Sequence, residues 1–281
     1  MEVVANIISS KKESLALNSG GIALSVSKAK LFDECKARYR FSYIEKLPKK
    51  EWDFHFFGKL LHDTLETLHK GLVIDPDQNI STLMTDCFKL SLEKFGPKLT
   101  RENKIEAQNI LKNYLEMLVS KQSIKKLPQI IALEKEFLVD IGHSVLLNGF
   151  IDRVEKDYDG IVHVSDYKTT KDKRYLKDFF QLLTYAFVMM LEDSSIQRVR
   201  ASYILLRHNF KFMTKEYNRA DVFEIQQKYL IYAEKIAEEK LWAPSPSRLC
   251  KYCDYVDNCK DGREYLRRIG LSKDEYGFTD W

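Results

Sequence analysis

Two short stretches of the sequence pair carboxylates with a cation in a way that could do chemistry. Asp166 and Lys168 stand two positions apart in an apolar segment, so in a β-strand their side chains share one face. Asp152 lies in the preceding apolar segment, and a hairpin between the two segments would bring Asp152 and Asp166 into one pocket. Paired carboxylates suit a hard cation such as Mg²⁺, which can polarise a phosphate and activate water. Lys168 would then position that water or stabilise the developing negative charge.

The simpler interpretation of the same residues is a cross-strand ion pair, because an Asp-x-Lys motif alone carries little information. Gln181 and Tyr185, four positions apart on a following helix, point the same way and can line the same pocket. His62 and Glu66 share a face of an earlier helix, and an imidazole ligand would favour Mn²⁺ more than an all-oxygen site would. Each residue on its own is also compatible with a structural role.

Four of the five cysteines have a spacing that indicates metal binding. Cys250, Cys253 and Cys259 lie within ten residues, and Cys35 lies 215 positions upstream. A zinc ribbon would normally present two close pairs of cysteines. Cys87 belongs to an apolar helical stretch and is expected to be a buried core residue. An odd number of cysteines with a tight triplet suits reduced thiols, so we expect a cytoplasmic protein.

Length and composition limit the class of protein but not its function. The 281 residues are 44% hydrophobic, which allows a substantial core, and the net charge of +4 neither requires nor excludes a nucleic-acid partner. The sequence has no apolar run of about 18 residues, so we expect no membrane association. The first 14 residues contain two glutamates and no hydrophobic signal core, so we expect no secretion.

Periodicity predicts four parts along the chain. A flexible leader (1–24) precedes a helical lobe (25–125), an α/β core (126–240) and a segment (241–281) with the cysteine triplet and a tail. Ser27 is the expected N-cap of a helix through Glu45, and three more helices are expected at about 53–70, 80–95 and 102–121. The core should contain strands at 130–141, 144–156, 161–168, 198–206 and 210–216, and helices at 175–191 and 220–239.

The order of these motifs resembles a known family. The motifs are Gly58-x-x-x-His62, Gly149-x-x-Asp152-Arg153, Asp166-Tyr167-Lys168-Thr169 and Gln181-x-x-x-Tyr185. From about residue 24 to 260 the chain resembles the RecB-like branch of the PD-(D/E)xK nuclease superfamily, which includes RecB and AddB nuclease domains and CRISPR-associated adaptation nucleases. The resemblance implies an α/β, restriction-endonuclease-like core, in which helices flank a mixed central sheet. It also implies a metal-dependent DNA nuclease, foremost an exonuclease.

The resemblance also implies roles for individual residues. His62, Asp152, Asp166 and the carbonyl oxygen of Tyr167 would bind Mg²⁺ or Mn²⁺, and Lys168 would be the catalytic lysine. Gln181 and Tyr185 would support the site. An additional acid on the first core strand would be Glu134 or Glu136, and the sequence does not choose between them.

A cysteine distant from a C-terminal triplet is similar to the iron–sulfur staple of AddB-like and CRISPR-associated members. It implies that Cys35, Cys250, Cys253 and Cys259 hold a [4Fe–4S] cluster, with zinc as the alternative. Expected partners are DNA, single-stranded or with free ends, and a helicase or recombination protein, because the sequence has no GxxxxGK[ST] motif. The basic and aromatic stretches 36–41 and 168–174 are candidate DNA contacts. Alternatives are a non-catalytic DNA-binding or assembly module and a structure-specific endonuclease.

Overall fold

The computed structural model describes residues 21–123, 127–157, 159–172, 176 and 178–271. Its described strands form one six-stranded sheet in the order β1-β3-β4-β5-β6, and β2 pairs with β3 beside this path. The strands are β1 (Ile22–Leu24), β2 (Gln129–Asp140), β3 (Val145–Lys156), β4 (Val162–Lys168), β5 (Arg198–Leu205) and β6 (Lys211–Asn218).

The sheet is mixed because short turns and a helical crossover join its strands. β2, β3 and β4 follow one another as antiparallel neighbours, whereas β4 and β5 run parallel and are joined through a helix. β5 and β6 are antiparallel, and β1 pairs with β3 in parallel. β4 is buried on both faces although it carries His163, Ser165 and Asp166. Buried polar side chains in a central strand indicate a site, because an ordinary two-sided strand is apolar.

Helices cover both faces of the sheet. They are α1 (Val26–Glu34), α2 (Lys36–Tyr39), α3 (Asp53–Ile74), α4 (Ile80–Phe95), α5 (Arg101–Ser123), α6 (Phe180–Glu192), α7 (Arg219–Glu238) and α8 (Lys260–Arg268). A π-helical turn, Arg40–Ile44, follows α2, and the 3₁₀ turns are Gly96–Lys98, Leu206–His208, Arg248–Tyr252 and Val256–Asn258. Ser25, Asn79 and Asn218 cap α1, α4 and α7 by accepting backbone N–H groups.

The hydrophobic core forms two clusters, one on each face of the sheet. One cluster joins α1, α6 and α7 to the side chains of β2 to β5, and the other joins α3, α4 and α5 to Tyr167, Ile204, Leu206 and Phe210. Cys87 belongs to the second cluster and is 2% exposed, as expected for a core residue. The helical lobe therefore packs on one face of the sheet, at the end of β4. Among the described helices, none combines the length and the apolar composition needed to cross a bilayer.

Strand prediction was accurate, and the main error concerns the first helix. The three strands expected at 130–141, 144–156 and 161–168 match β2, β3 and β4 to within one residue. The helix expected from Ser27 to Glu45 begins instead after Ser25 and is interrupted at Cys35, whose backbone is extended (φ −164°, ψ 108°). Cys35 accepts an N–H from Ser245 on its sulfur, a tertiary contact that the helical periodicity does not show.

Smaller differences lie elsewhere along the chain. Within the expected leader, Ile22–Leu24 forms β1 because Ala23 and Leu24 are buried against β3. Residues 1–20, the tail from 272 and positions 173 and 174 of the second candidate DNA contact lie outside the described residues. The helix expected from 175 begins at Phe180, and the segment with the cysteine triplet contains α8.

Candidate active site

The candidate site lies where β3 and β4 separate. Their antiparallel ladder runs from Lys156–Val162 to Arg153–Ser165 and ends there. Asp152 and Asp166 are the next residues on the two strands, so they face each other at the opening. The hairpin inferred from the sequence therefore brings these two carboxylates to neighbouring positions.

Where the backbone ladder stops, the side chain of Asp152 accepts a hydrogen bond from β4. The backbone N–H of Tyr167 donates to Asp152 Oδ2 at 2.6 Å. His62 approaches from α3, with its Nδ1 3.5 Å from Asp152 Oδ2 and its Nε2 3.1 Å from the carbonyl oxygen of Tyr167. Three of the groups expected to bind metal, on His62, Asp152 and Tyr167, thus lie around one small volume.

Asp166 and Lys168 form a second part of the site together with α6. Lys168 Nζ lies 2.6 Å from Asp166 Oδ2 and donates to Gln181 Oε1 at 2.9 Å. The Gln181 amide donates to Asp166 Oδ1 and to the Tyr185 hydroxyl, each at 2.7 Å, and that hydroxyl lies 3.4 Å from Asp166 Oδ1. Gln181 therefore contacts both the Asp166 carboxylate and the Lys168 ammonium group. Tyr185, four residues later on α6, lies next to Gln181 on the same face of the helix.

Glu134 on β2 lies beside the volume surrounded by His62, Asp152 and Tyr167. Its carboxylate lies within 4.8 Å of ligand atoms of His62 and Asp152, a group of three that could hold a metal ion. Asp166 is not part of that group, whereas Glu136 lies in the regular β2–β3 ladder opposite Phe150. Of the two glutamates left open by the sequence, the structure therefore brings Glu134 to the site.

The backbone of Glu134 is strained. Its φ is +44°, a left-handed conformation that is unusual for a residue other than glycine and rarer still within a strand. The neighbouring pairs Leu133–Arg153 and Lys135–Ile151 are formed, but Glu134 and Asp152 between them do not pair. Strain of this kind costs about 1–3 kcal/mol and is characteristic of functional positions.

The carboxylates of the site repel one another when they are ionised. Burial raises the pKa of Asp152 to about 6, and the charge of Asp166 adds to the shift. Burial also raises the pKa of Glu134 to about 7, with the charges of Asp152 and Glu66 acting in the same direction. A divalent cation would relieve this repulsion. The carboxylates of Asp152 and Asp166, the imidazole of His62 and the carbonyl oxygen of Tyr167 form a suitable ligand set for it.

Above about pH 7 and without divalent cations, an Asp152→Asn variant is expected to be more stable than the wild type, with a larger free energy of unfolding. Because the pKa of Asp152 is raised in the folded chain, its favourable contribution is complete below the ordinary pKa of 3.8 and is lost as the pH rises through about 6. The two stability curves should therefore meet near pH 4 and separate toward neutral pH. Urea denaturation in chelator measures this, with the exposed Asp77→Asn as control. A difference that does not change with pH would contradict the electrostatic origin.

The four cysteines expected to bind metal line one pocket beside the α1–α2 junction. Arg38, Phe41 and Gly262 complete much of its wall. Three sulfurs accept backbone N–H groups at 3.4 Å, Cys35 from Ser245, Cys250 from Ser247 and Cys259 from Gly262. Among the described residues, these thiols do not belong to any group of three or more ligand atoms that all lie within 4.8 Å of one another. The sulfurs thus surround a space without converging on one point.

Gly262 borders this space. A Cβ atom added there would lie 3.4 Å from Cys259 Sγ and 3.6 Å from Cys250 Sγ, which is ordinary van der Waals contact with both sulfurs. Burial raises the pKa of the Cys253 and Cys259 thiols, so without a cation these sulfurs remain protonated at neutral pH.

The sequence model of the PD-(D/E)XK nuclease superfamily matches residues 23–260. The chain belongs to this superfamily. The mixed sheet with helices on both faces is the restriction-endonuclease-like fold of that superfamily, and the matched range contains the candidate site and the four cysteines.

The relatives of this PD-(D/E)XK chain include much longer proteins. It is 29% identical over 179 residues to an ATP-dependent helicase/deoxyribonuclease subunit of Streptococcus pyogenes serotype M6, and 28% identical over 175 residues to the same subunit of serotype M1. Each match covers 58% of this chain but 16% of the relative. A crystal structure of a candidate exonuclease from Eubacterium rectale aligns with a TM-score of 0.49 at 12% identity, over 82% of this chain and 86% of that one. The family assignment rests on the sequence model alone.

A buried arginine lies next to the candidate active site. Arg153 directly follows Asp152, and its Nη1 donates to the hydroxyls of Tyr114 and Tyr167 at 3.0 Å each. Its Nε lies 3.0 Å from Glu155 Oε2. Burial works against ionisation of Glu155, but Arg153, His163 and His69 together outweigh it, and the pKa of Glu155 falls to about 2. Only the motif Asp152-Arg153 hints at this role in the sequence, because the two tyrosine hydroxyls come from α5 and β4.

Proposed function

We propose that this chain is a divalent-cation-dependent DNA nuclease. The observation that carries the proposal is the opening between β3 and β4. There His62, Asp152 and the Tyr167 carbonyl surround one volume, and the adjacent Asp166 holds Lys168 at 2.6 Å. Membership of a nuclease superfamily supports hydrolysis of phosphodiester bonds, and the names of the Streptococcus relatives support DNA as the substrate.

The proposed ligands of Mg²⁺ or Mn²⁺ are His62, Asp152, Asp166 and the carbonyl oxygen of Tyr167, with Glu134 as a further acid. A divalent cation held there would polarise the scissile phosphate and lower the pKa of a bound water. The raised pKa values of Asp152 and Glu134 support this assignment, since burial and mutual repulsion outweigh the cationic side chains near both carboxylates.

Lys168 supplies the positive charge that the reaction needs next to the phosphate. Hydrogen bonding to Gln181 and the contact with Asp166 fix its ammonium group in one place. Cleavage places additional negative charge on the phosphoryl oxygens, and a fixed cation stabilises that charge without having to rearrange. Tyr185 and Gln181 act by orienting Asp166 and Lys168.

An exonuclease acting on single-stranded or free-ended DNA, together with a helicase partner, is the finer form of this proposal. It is supported by the relatives, which are named as subunits of ATP-dependent helicase/deoxyribonucleases. End-labelled single-stranded, double-stranded and circular DNA, incubated with Mg²⁺, Mn²⁺ or chelator, test it. Loss of label from linear DNA with circular DNA intact is the expected result. Cleavage of circular DNA would contradict the exonuclease, and no cleavage with either metal would contradict the nuclease.

We also propose that Cys35, Cys250, Cys253 and Cys259 hold a [4Fe–4S] cluster. The N–H groups directed at three sulfurs support thiolate ligands, since such bonds stabilise negative charge on sulfur. Four sulfurs bound to one zinc at about 2.3 Å would lie only about 3.8 Å apart. The wider spacing around the pocket is better suited to a larger group. A cluster of this kind would tie α1 to the C-terminal loops in a reducing cytoplasm.

A Cys250→Ala variant is expected to lose bound iron and the brown colour of the cluster, and to melt at a lower temperature. The tie joins residues 215 positions apart, and by analogy with a disulfide such a closure contributes on the order of 5 kcal/mol. Iron analysis, visible absorption and thermal unfolding of anaerobically purified protein measure these effects. Cys87→Ala is the matched control and should keep its iron. Zinc without iron in the wild type would show that the cluster assignment is wrong.

A further inference from the structure

Three aromatic rings meet where the start of α3 touches the cysteine-bearing loop. Trp52 and Phe54 are stacked, with ring centroids 5.8 Å apart and an interplanar angle of 22°. Tyr252 lies edge-on to both, at 6.4 Å from Trp52 and 6.5 Å from Phe54. We call Trp52, Phe54 and Tyr252 the aromatic platform. Phe54 is 48% exposed, so a large apolar ring remains accessible to solvent.

The aromatic platform is fixed to the rest of the chain by polar contacts at its edge. The indole N–H of Trp52 donates to Asp254 Oδ1 at 2.7 Å, and Lys50 bonds Asp257 Oδ2 at 2.6 Å. Both acids belong to the loop that carries the cysteines. The rings are therefore held in place before any ligand arrives, which lowers the entropic cost of binding.

Two exposed lysines lie close along the chain to the aromatic platform. Lys49 and Lys59 are exposed, and among the described residues neither forms an ion pair with a carboxylate. The nearby Glu51 is already bound to Lys98 at 2.8 Å. Burial lowers the pKa of His55; the charge of Asp254 raises it, and Lys59 and Lys49 lower it. An accessible ring with two such lysines nearby along the chain is suited to a ligand with flat faces and negative charge.

The aromatic platform continues directly into the candidate active site. Phe54, Gly58 and His62 are spaced four residues apart on α3 and share one face of the helix. Eight residues of helix measure about 12 Å, the length of roughly three to four stacked nucleotides at about 3.4 Å each. Gly58 faces Thr169, the residue after Lys168, and a Cβ there would lie 3.7 Å from Thr169 Oγ1. α3 therefore runs from the rings to the end of β4 that carries Lys168.

We propose that the aromatic platform binds the bases of a single-stranded DNA segment whose phosphates lead into the active site. This inference rests on the proposed function and names the form of DNA that the site receives. Aromatic side chains stack on unpaired bases, whereas the bases of a duplex are already stacked on one another. Lys49 and Lys59 contact the phosphates of this segment, and the strand follows α3 from Phe54 toward Lys168.

The experiment measures binding of a labelled single-stranded oligonucleotide, in chelator so that it is not cut, by fluorescence anisotropy. Wild type and Phe54→Ala are each titrated with an ordinary oligonucleotide and with an abasic one of equal length. Phe54→Ala should bind the ordinary strand between about fivefold and 150-fold more weakly. The abasic strand should bind both proteins equally. Phe223→Ala, which removes another exposed phenylalanine on α7, is the control and should bind like the wild type.

Two results would overturn the proposal: no loss of affinity in Phe54→Ala, or an equal loss for ordinary and abasic strands. An equal loss would mean that Phe54 supports the fold and does not stack on bases. The proposed nuclease is tested separately by cleavage. Wild type that cuts DNA while Phe54→Ala binds normally would refute the platform alone. A selective loss of base-dependent binding in a protein that cuts no DNA would refute the nuclease alone.

Discussion

A Lys168→Ala variant is expected to cleave DNA about 100- to 1,000-fold more slowly than the wild type while binding it almost as tightly. Lys168 is held 2.6 Å from Asp166 and 2.9 Å from Gln181, so its charge is already in place when the phosphate gains negative charge. A fixed cation of this kind acts chiefly in the transition state. Ground-state affinity comes from many phosphate contacts, to which one lysine adds little.

Single-turnover cleavage and equilibrium binding of the same labelled strand separate these two effects. Lys89→Ala, which removes an exposed lysine on α4, is the matched control and should cut at the wild-type rate. Asp166 keeps its contacts with Gln181 and Tyr185 in the variant, so the fold should persist and can be checked by thermal unfolding. Near-normal cleavage by folded Lys168→Ala would refute the catalytic role and leave the ion pair as a structural contact.

An Arg153→Met variant is expected to lose about 3–5 kcal/mol of unfolding free energy. Arg153 and Glu155 are each 5% exposed, and their charged groups lie 3.0 Å apart. Removing the cation leaves Glu155 Oε2 without its guanidinium in the interior, with the His163 imidazole still 3.2 Å from Oε1, or forces the carboxylate to take up a proton. The hydroxyls of Tyr114 and Tyr167 lose a donor at the same time.

Urea unfolding at neutral pH measures this loss. Arg198→Met is the control, because its side chain is 58% exposed and its contact with Glu216 is long, at 3.8 Å. Surface pairs of that kind contribute at most about 1 kcal/mol. The double variant Arg153→Met/Glu155→Leu should recover much of the stability, since it removes both buried charges. A loss below about 1 kcal/mol in Arg153→Met would show that the His163 imidazole is enough to hold Glu155 and would contradict the role of Arg153.

The parts of the fold that could be predicted from sequence are those set by local patterns. The strands around Asp152 and Asp166 follow from apolar runs bounded by turn residues, and their hairpin follows from the short loop between them. The pairing of Asp166 with Lys168 follows from the alternation of side chains along β4. The four-residue spacing of Gln181 and Tyr185 gave their common direction on α6, which the structure bears out.

Features set by tertiary contacts could not be predicted. The break of the first helix at Cys35 depends on the C-terminal loop, more than 200 positions away. The left-handed backbone of Glu134 depends on its position opposite Asp152, so the sequence could not choose between Glu134 and Glu136. The aromatic platform unites Trp52 and Phe54 with Tyr252, and no local spacing relates these segments.

The contrast between neighbouring strands and distant cysteines has a kinetic consequence. β2, β3 and β4 are joined by short turns, so their contacts form at small entropic cost, whereas Cys35 must find partners that lie 215 or more positions later. Refolding should therefore pass through a species with its sheet assembled but its cysteine loops undocked. Trp242 stacks on Tyr39 at 5.8 Å beside those loops, so its fluorescence should change in a late phase, after the circular dichroism of the sheet has recovered.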